Sequence, residues 1–201
     1  MELLAVVIIA GILWYLFRNR KKPIDISILP EQFIVIDLET TGLKAEQHEI
    51  IEIGAVRVNR DQSRHDTFQV FIKPTKKLPK KITEITGITQ DVLDKEGVSL
   101  EQAMNELQAF IGDHRVVFFN AEFDTAFLRK AAASCGLTLK NPVSCALLMA
   151  RRAWPRRKSY RLTELAKDGG ISTAGAHRAL DDCRMTIIVY GAAAAQLRRV
   201  D

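Results

Sequence analysis

Asp37 and Glu39 are the first residues of this sequence whose types and spacing could do chemistry. They directly follow the apolar run 33–36, which is typical of a strand covered on both faces. Residues two apart on a strand point to the same side, so both carboxylates would emerge together close to the Gly42 turn. Two such like charges repel each other unless a cation or donors lie between them. The pair indicates a metal site, although acids that are merely solvated at a strand end would give the same pattern.

A third acidic residue, Asp124, lies where a strand is expected to pass into a helix. The run Asn120-Ala121-Glu122-Phe123-Asp124 follows an expected strand over 115–119, and the helix is expected to reach about Ser134. The helix dipole favours a carboxylate in the first turn, so Asp124 also has a purely structural explanation.

His177 and Asp182 lie five residues apart at the start of an expected C-terminal helix that reaches about Arg199. Five helical residues turn through about 500°, which would leave the two side chains roughly 140° apart. They can serve one site only if His177 precedes the helix, and the break expected at Ala174-Gly175 allows this.

These residues suit phosphate-ester hydrolysis. Four hard oxygen donors come from three places in the chain: Asp37, Glu39, Asp124 and Asp182. This set suits two Mg²⁺ or Mn²⁺ ions rather than zinc, and two such ions stabilise the attacking and leaving oxygens of an in-line displacement at phosphorus. His177 is available as the base that deprotonates the attacking water.

The elements that must position these residues form an alternating α/β pattern. The segments 49–58 and 64–73 predict two strands that continue from the first as an antiparallel meander. Ser99 and Gln102 predict a helix start, and the apolar run 143–148 predicts a fifth strand. A short helix over 162–167 completes the pattern.

Charge and cysteine content narrow the class of protein. The formal net charge is +5, which is modest but suits a polyanionic partner. A basic stretch with aromatic residues would suit single-stranded nucleic acid or an anionic membrane surface equally: Arg151, Arg152, Trp154, Arg156, Arg157, Lys158, Tyr160 and Arg161. The three cysteines show no metal-binding or pairing pattern, which argues against a zinc site or a disulfide framework.

Residues 1–17 are expected to form a transmembrane anchor. They contain one charged residue, Glu2, and would span roughly 25 Å as a helix, against a bilayer core of about 30 Å. The basic residues that follow place the remaining chain in the cytoplasm, attached to the inner membrane by a single pass. A cleaved signal peptide is the alternative, but its charge order would be the reverse. Residues 18–32 read as a basic, proline-containing linker, and residues 33–201 as the catalytic domain.

Three ordered motifs in this domain resemble those of the DEDDh branch of the DEDD exonuclease superfamily. They are DxETTG at 37–42, NAxFD at 120–124 and HxAxxD at 177–182, and the likeness extends over about residues 33–195. This DnaQ-like group includes the proofreading epsilon subunit of DNA polymerase III, ribonuclease T and oligoribonuclease. The resemblance implies an RNase H-like fold with a five-stranded mixed sheet in the order 3-2-1-4-5, flanked by helices.

The same resemblance implies roles for individual residues. The four acids would hold two metal ions, with Asp37 bridging them, and His177 would be the general base. The spacing of the third motif selects Asp182 and leaves Asp181 outside the site. Three residues would touch the substrate: Thr40, Leu43 and Asn120.

The activity implied is removal of nucleoside 5'-monophosphates from the 3' end of single-stranded nucleic acid, with DNA preferred as the substrate. An exoribonuclease of the ribonuclease T or oligoribonuclease type is the first alternative, because the sequence does not reveal how a 2'-hydroxyl would be read. A protein that only binds nucleic acid is the second alternative, although loss of an acidic ligand would be expected in such a protein and all four acids are present.

Overall fold

A five-stranded mixed sheet organises the computed structural model of the protein, which describes residues 29–62 and 64–198. The strands are β1 (Gln32–Thr40), β2 (Ile50–Asn59), β3 (Asp66–Phe71), β4 (Val116–Phe118) and β5 (Val143–Cys145). They lie in the order β3-β2-β1-β4-β5, so the predicted order is confirmed. The first three strands pair antiparallel, whereas β4 and β5 run parallel to β1.

Seven helices connect and cover these strands within the described residues. They are α1 (Lys80–Thr86), α2 (Gln90–Glu96), α3 (Leu100–Ile111), α4 (Ala121–Ser134), α5 (Ala146–Ala153), α6 (Leu162–Asp168) and α7 (Ala179–Arg198). The predicted start of α3 is confirmed, since the Ser99 hydroxyl accepts a hydrogen bond from the backbone N–H of Gln102 at 3.1 Å. Because α4 is followed by Gly136 with φ of +67°, the chain turns there at low steric cost.

Strand β1 is buried on both faces, as its apolar run predicted. Ile34 and Ile36 pack in the core cluster that also contains buried residues of α3 and α4. Phe33 and Val35 belong to the cluster on the other face, where the Phe33 ring lies 5.7 Å from the ring of Tyr190 in α7. Packing on both faces therefore fixes the central strand, and with it the position of the residues at its carboxyl end.

The predicted fifth strand over 143–148 is too long. It ends at Cys145, and the chain enters α5 at Ala146. Ala146, Ala150 and Ala153 are buried and recur at helical spacing, so small residues let this helix lie close to its neighbours. A short apolar run does not by itself distinguish a buried strand from a buried helix.

The membrane-anchored architecture is corrected. Residues 1–17, for which a transmembrane helix was expected, lie outside the described residues. Among the helices of residues 29–62 and 64–198, none combines the length and apolar character that crossing a bilayer requires. The sheet and its flanking helices stand, whereas the membrane-spanning helix and the inner-membrane localisation find no support and are withdrawn.

Candidate active site

The carboxyl end of β1 presents Asp37 and Glu39 on the sheet face that α7 covers. In the antiparallel register with β2, Asp37 lies opposite Gly54 and Glu39 lies opposite Glu52. A register shift between Glu39 and Thr40 then interrupts the pairing. Such irregularities re-aim the chain next to functional sites, and here the change of direction follows directly after the second carboxylate.

Helix α7 brings Asp182 to the same place. Carboxylate oxygens of Asp37, Glu39 and Asp182 all lie within 4.8 Å of one another. Asp124, in the first turn of α4, is buried, and its charge raises the pKa of Asp37 and of Glu39, so it lies near this cluster. Three of the predicted acids, from two distant stretches of sequence, thus lie together, and the fourth is their neighbour.

Burial without a cation disfavours the charged form of each of these acids. Desolvation is the main cause in all four, and it raises the pKa of Asp37 well above its ordinary value. The pKa of Glu39 is raised to about 8, through desolvation and then the neighbouring charge of Asp182. Desolvation likewise raises the pKa of Asp124 to about 8 and that of Asp182 to about 6.

His177 precedes α7, as the spacing argument required. The helix begins at Ala179, and the backbone N–H of His177 donates to Oδ1 of Asp182 at 3.3 Å. His177 is exposed and has φ of +69°, the left-handed region that non-glycine residues rarely adopt. The helical separation of about 140° therefore does not apply, and both residues lie at one end of α7.

Asp181 forms an ion pair and is not part of the acidic cluster. Its Oδ1 accepts a hydrogen bond from the guanidinium of Arg184, one turn further along α7. The adjacent residue Asp182 faces the acids of β1 instead. The two neighbouring aspartates thus have different surroundings, as the motif spacing predicted.

The three residues predicted to touch substrate are not all in one cavity. Leu43, 82% exposed, and Asn120 both line an open cavity beside the aromatic side chains of Phe123 and Phe127. Thr40 is buried, and its hydroxyl donates to the carbonyl oxygen of Gly42 at 2.7 Å. The structure therefore brings Leu43 and Asn120 together. The Thr40 side chain instead stabilises the turn that connects β1 to Leu43.

Glu52 is a buried acid that the sequence reasoning missed. It is fully buried in β2, and its charge contributes to the raised pKa values of Asp37, Glu39 and Asp182. The available signal was a charged residue between Ile51 and Ile53 in an otherwise apolar strand. A charge at such a position needs partners, because burying it alone is costly.

The donor set of the cluster fits a divalent cation that prefers oxygen ligands. Its groups are carboxylates, and Mg²⁺ and Mn²⁺ are bound by such hard oxygen donors. The raised pKa values point the same way, since a cation would favour the ionised forms that burial penalises.

The thermal stability of the protein without divalent ions is expected to fall as pH rises. Each of the four acids has a raised pKa in the folded state, so the folded protein retains protons that the unfolded chain has released. The stabilisation from these protons is complete below about pH 4, where the unfolded chain is also protonated. It is lost as pH rises through about 6 for Asp182 and about 8 for Glu39 and Asp124.

Melting temperatures measured from pH 4 to 9 in EDTA, for the wild type and for Asp124→Asn, test this expectation. The wild type should lose more stability than the variant between pH 5 and 8, and Mn²⁺ should reduce that difference. A wild-type melting temperature that rises relative to the variant over this range would contradict it.

Known proteins are similar to this chain over the part that contains the sheet and the acidic cluster. The RNase T family model, described as an exonuclease family, matches residues 34–190. The epsilon subunit of DNA polymerase III from Aquifex aeolicus is 35% identical over 165 residues, which are 82% of this chain and 81% of that protein. The PolC-type DNA polymerase III of Clostridium perfringens is 38% identical over 156 residues, 78% of this chain. That match spans only 11% of the length of the polymerase.

Solved structures show the same fold. E. coli exonuclease I in complex with a dT13 oligonucleotide superimposes with a TM-score of 0.74 at 20% sequence identity. The match covers 85% of this chain and 42% of exonuclease I.

Proposed function

The chain belongs to the RNase T exonuclease family, and from that premise we propose that it removes nucleotides one at a time from the 3' end of single-stranded DNA. The observation that carries the proposal is the cluster of Asp37, Glu39 and Asp182, with Asp124 nearby and with His177 bound through its backbone to Asp182 just before α7. The epsilon subunit of a DNA polymerase III among its relatives and a complex with a dT13 oligonucleotide among its structural neighbours support DNA as the substrate.

Asp37, Glu39, Asp124 and Asp182 are the proposed ligands of the divalent ions. When bound, such ions stabilise the charge that develops on the attacking and leaving oxygens at phosphorus. The residues of the chain contribute a cluster of acids whose ionised forms are disfavoured by burial when no cation is bound. Since β1, α4 and α7 already hold these acids in place, little reorganisation is needed when substrate arrives.

His177 is the proposed general base. Its exposed imidazole can accept the proton of the attacking water, a task that histidine side chains perform more often than any other in general base catalysis. The backbone of His177 is tied to Asp182, which joins the base to one of the proposed metal ligands. The positive φ is a backbone conformation that keeps His177 outside α7, and the charge of its ring lowers the pKa of Asp182, so the ring lies near that carboxylate.

The cavity lined by Leu43 and Asn120 is the proposed position of the terminal nucleotide. Leu43 offers an exposed apolar surface on which a base can pack, and Phe123 and Phe127 lie in the same wall. Thr40 holds the turn that presents Leu43, through its hydrogen bond to Gly42. A base-packing surface of this kind does not depend on the identity of the base, as expected for an exonuclease.

The basic stretch 151–161, which begins in the last turn of α5, is the proposed path of the remaining strand. The Arg151 guanidinium lies 6.0 Å from the centre of the Tyr160 ring, and the Tyr160 hydroxyl donates to the carbonyl of Trp154. Arg157 is paired with Asp168, whereas Arg152 and Arg156 have exposed side chains. An array of arginines and aromatic rings fits a phosphate backbone with unstacked bases.

The proposed function predicts that the protein shortens 3'-ended single-stranded DNA only when Mg²⁺ or Mn²⁺ is present. Matched oligonucleotides of single-stranded DNA, duplex DNA and RNA, each labelled at the 5' end, would reveal successive one-nucleotide products. EDTA should stop the reaction, and a 3'-phosphate should block it. Preferential degradation of RNA would show that RNA, and not DNA, is the preferred substrate. Shortening from a 5' end would overturn the proposed polarity.

A further inference from the structure

Glu52, near the start of β2, is the most deeply buried acid in the described part of the chain. Its side chain is 0% exposed, and it lies directly opposite Glu39 across the antiparallel pair. Like charges in directly opposed positions destabilise a sheet. A carboxylate at such a place needs strong partners, and these partners indicate what it does.

The partners of Glu52 come mainly from the two residues that follow His177. Its Oε2 accepts a hydrogen bond from the backbone N–H of Ala179 at 3.3 Å. Its Oε1 accepts from the guanidinium of Arg178 at 3.2 Å and from the side-chain amide of Gln69 at 2.6 Å. Because Ala179 is the first residue of α7, its N–H is among those that a helix leaves without an internal partner. A side chain of the sheet thus caps α7 from outside the helix.

Gly54 lets α7 approach close enough for this capping contact. It lies two residues after Glu52 on the same face of β2, where a Cβ would come within 2.7 Å of Ala179 and of the backbone nitrogen of Leu180. Such a contact is too short for any side chain, so the first residues of α7 lie directly on β2. Glu52 and Gly54 together define the position at which α7 begins.

The backbone of His177 is therefore held on both sides. Its own N–H donates to Asp182, and the next two residues are bound to Glu52. If this second attachment were lost, α7 could extend backwards through Arg178 and His177. In a helical conformation the imidazole would then point roughly 140° away from Asp182.

We propose that Glu52 and Arg178 are positioning residues, which hold His177 outside α7 and beside the acidic cluster. The proposal deepens the function proposed above and rests on His177 acting as the base. Arg178 has a second contact on this face, since its guanidinium lies 5.6 Å from the centre of the Phe71 ring. Its charge also offsets the repulsion between the opposed glutamates, as the lowering effect of Arg178 on the pKa of Glu39 indicates.

Two substitutions test the proposal, Glu52→Gln and Arg178→Met. A glutamine at position 52 must turn its NH₂ group either toward the N–H of Ala179 or toward the donors of Arg178 and Gln69. At least one contact is therefore lost without a change in size, and the remaining oxygen is a weaker acceptor than a carboxylate. Arg178→Met removes only the guanidinium of a side chain that is 41% exposed, so it tests the proposal with less risk to folding. We expect kcat to fall roughly 100-fold in each, as a displacement of about 1 Å can cause, with KM within about twofold of wild type. Arg178→Lys should recover part of the lost rate.

The matched control is Asp66→Asn. Asp66 on β3 is paired with Arg57 on β2 at 3.1 Å, so this change also replaces an acid by its amide and breaks an acid–arginine pair of the same sheet. Assays are made well below the melting temperature of every variant. The control should keep kcat within about twofold of wild type, whatever its change in melting temperature.

Amide hydrogen exchange of the protein without metal supplies a readout that is independent of activity. The N–H of Ala179 should exchange faster in Glu52→Gln than in Asp66→Asn, because its acceptor is weakened only in the former. If wild type is active and both test variants keep its kcat, the positioning proposal is wrong while the proposed function stands. If wild type releases no nucleotides, the proposed function fails. Independently of activity, unchanged exchange at the N–H of Ala179 in Glu52→Gln would overturn the capping contact.

Discussion

Asp182→Asn is expected to lower kcat/KM for nucleotide release at least about 1000-fold while leaving the fold intact. The carboxylate of Asp182 is one of three whose oxygens lie within 4.8 Å of one another. Loss of one ionised ligand removes several kcal/mol of charge stabilisation, and each 1.4 kcal/mol corresponds to a factor of ten in rate. Initial rates on a 5'-labelled oligonucleotide in Mg²⁺ and in Mn²⁺ measure the loss.

Asp181→Asn is the matched control, because it makes the same change one residue earlier. Asp181 is paired with Arg184 at the surface and has no place in the acidic cluster. Its rate should stay within about threefold of wild type. Equal losses in the two variants would show that the helix start, rather than the proposed metal site, had been disturbed.

Asp182→Asn is also expected to be at least as stable as wild type in EDTA. The charge of Asp182 raises the pKa of Glu39, so its removal relieves repulsion in the folded state at neutral pH. Divalent ions should raise the melting temperature of wild type more than that of Asp182→Asn, since ligands that bind only the folded state stabilise it. Equal shifts would remove Asp182 from the proposed ligands.

The sheet could be predicted well because its strands have strong local patterns. Residues 33–36 of β1 form an uninterrupted apolar and buried run, and β2 and β3 are the next elements along the chain. The order of the strands came from the family resemblance rather than from any single strand. The start of α7 followed from geometry, since only a helix that begins after His177 lets it share a site with Asp182.

The helices that escaped prediction are short and depend on tertiary contacts. Helix α1 spans seven residues for which the sequence analysis predicts no helix or strand, and one of them, Thr86, is buried. Helix α5 begins in a run of apolar residues that suits a strand equally well. Neither local pattern determines the structure, because helices of this length are stabilised mainly by packing.

Glu52 illustrates what a one-dimensional pattern does not contain. Its importance follows from Arg178 and Ala179, which lie more than 120 positions later in the chain. The acids of the proposed metal site were recognisable because each has a motif around it. A residue that acts by holding another has no motif of its own, and its role becomes visible only when the sheet and α7 are packed together.

His177→Ala is expected to lower kcat by about 10² to 10⁴ while metal binding is retained. This range is the usual contribution of a positioned general base. The imidazole is not one of the oxygen donors of the cluster, and the hydrogen bond to Asp182 comes from the backbone of His177, which alanine keeps. Mn²⁺ affinity measured by calorimetry should therefore change less than about threefold.

The pH dependence of kcat separates a base from a ligand. In wild type, kcat should fall toward acid pH as the general base becomes protonated. In His177→Ala the part of this decrease that comes from the base should disappear, and any remaining decrease should follow the protonation of the carboxylates. At higher pH the rate of the variant should recover in part, since hydroxide then replaces the missing base. A collapse of Mn²⁺ affinity in His177→Ala would instead make His177 a metal ligand, and an unchanged kcat would show that His177 is not the base.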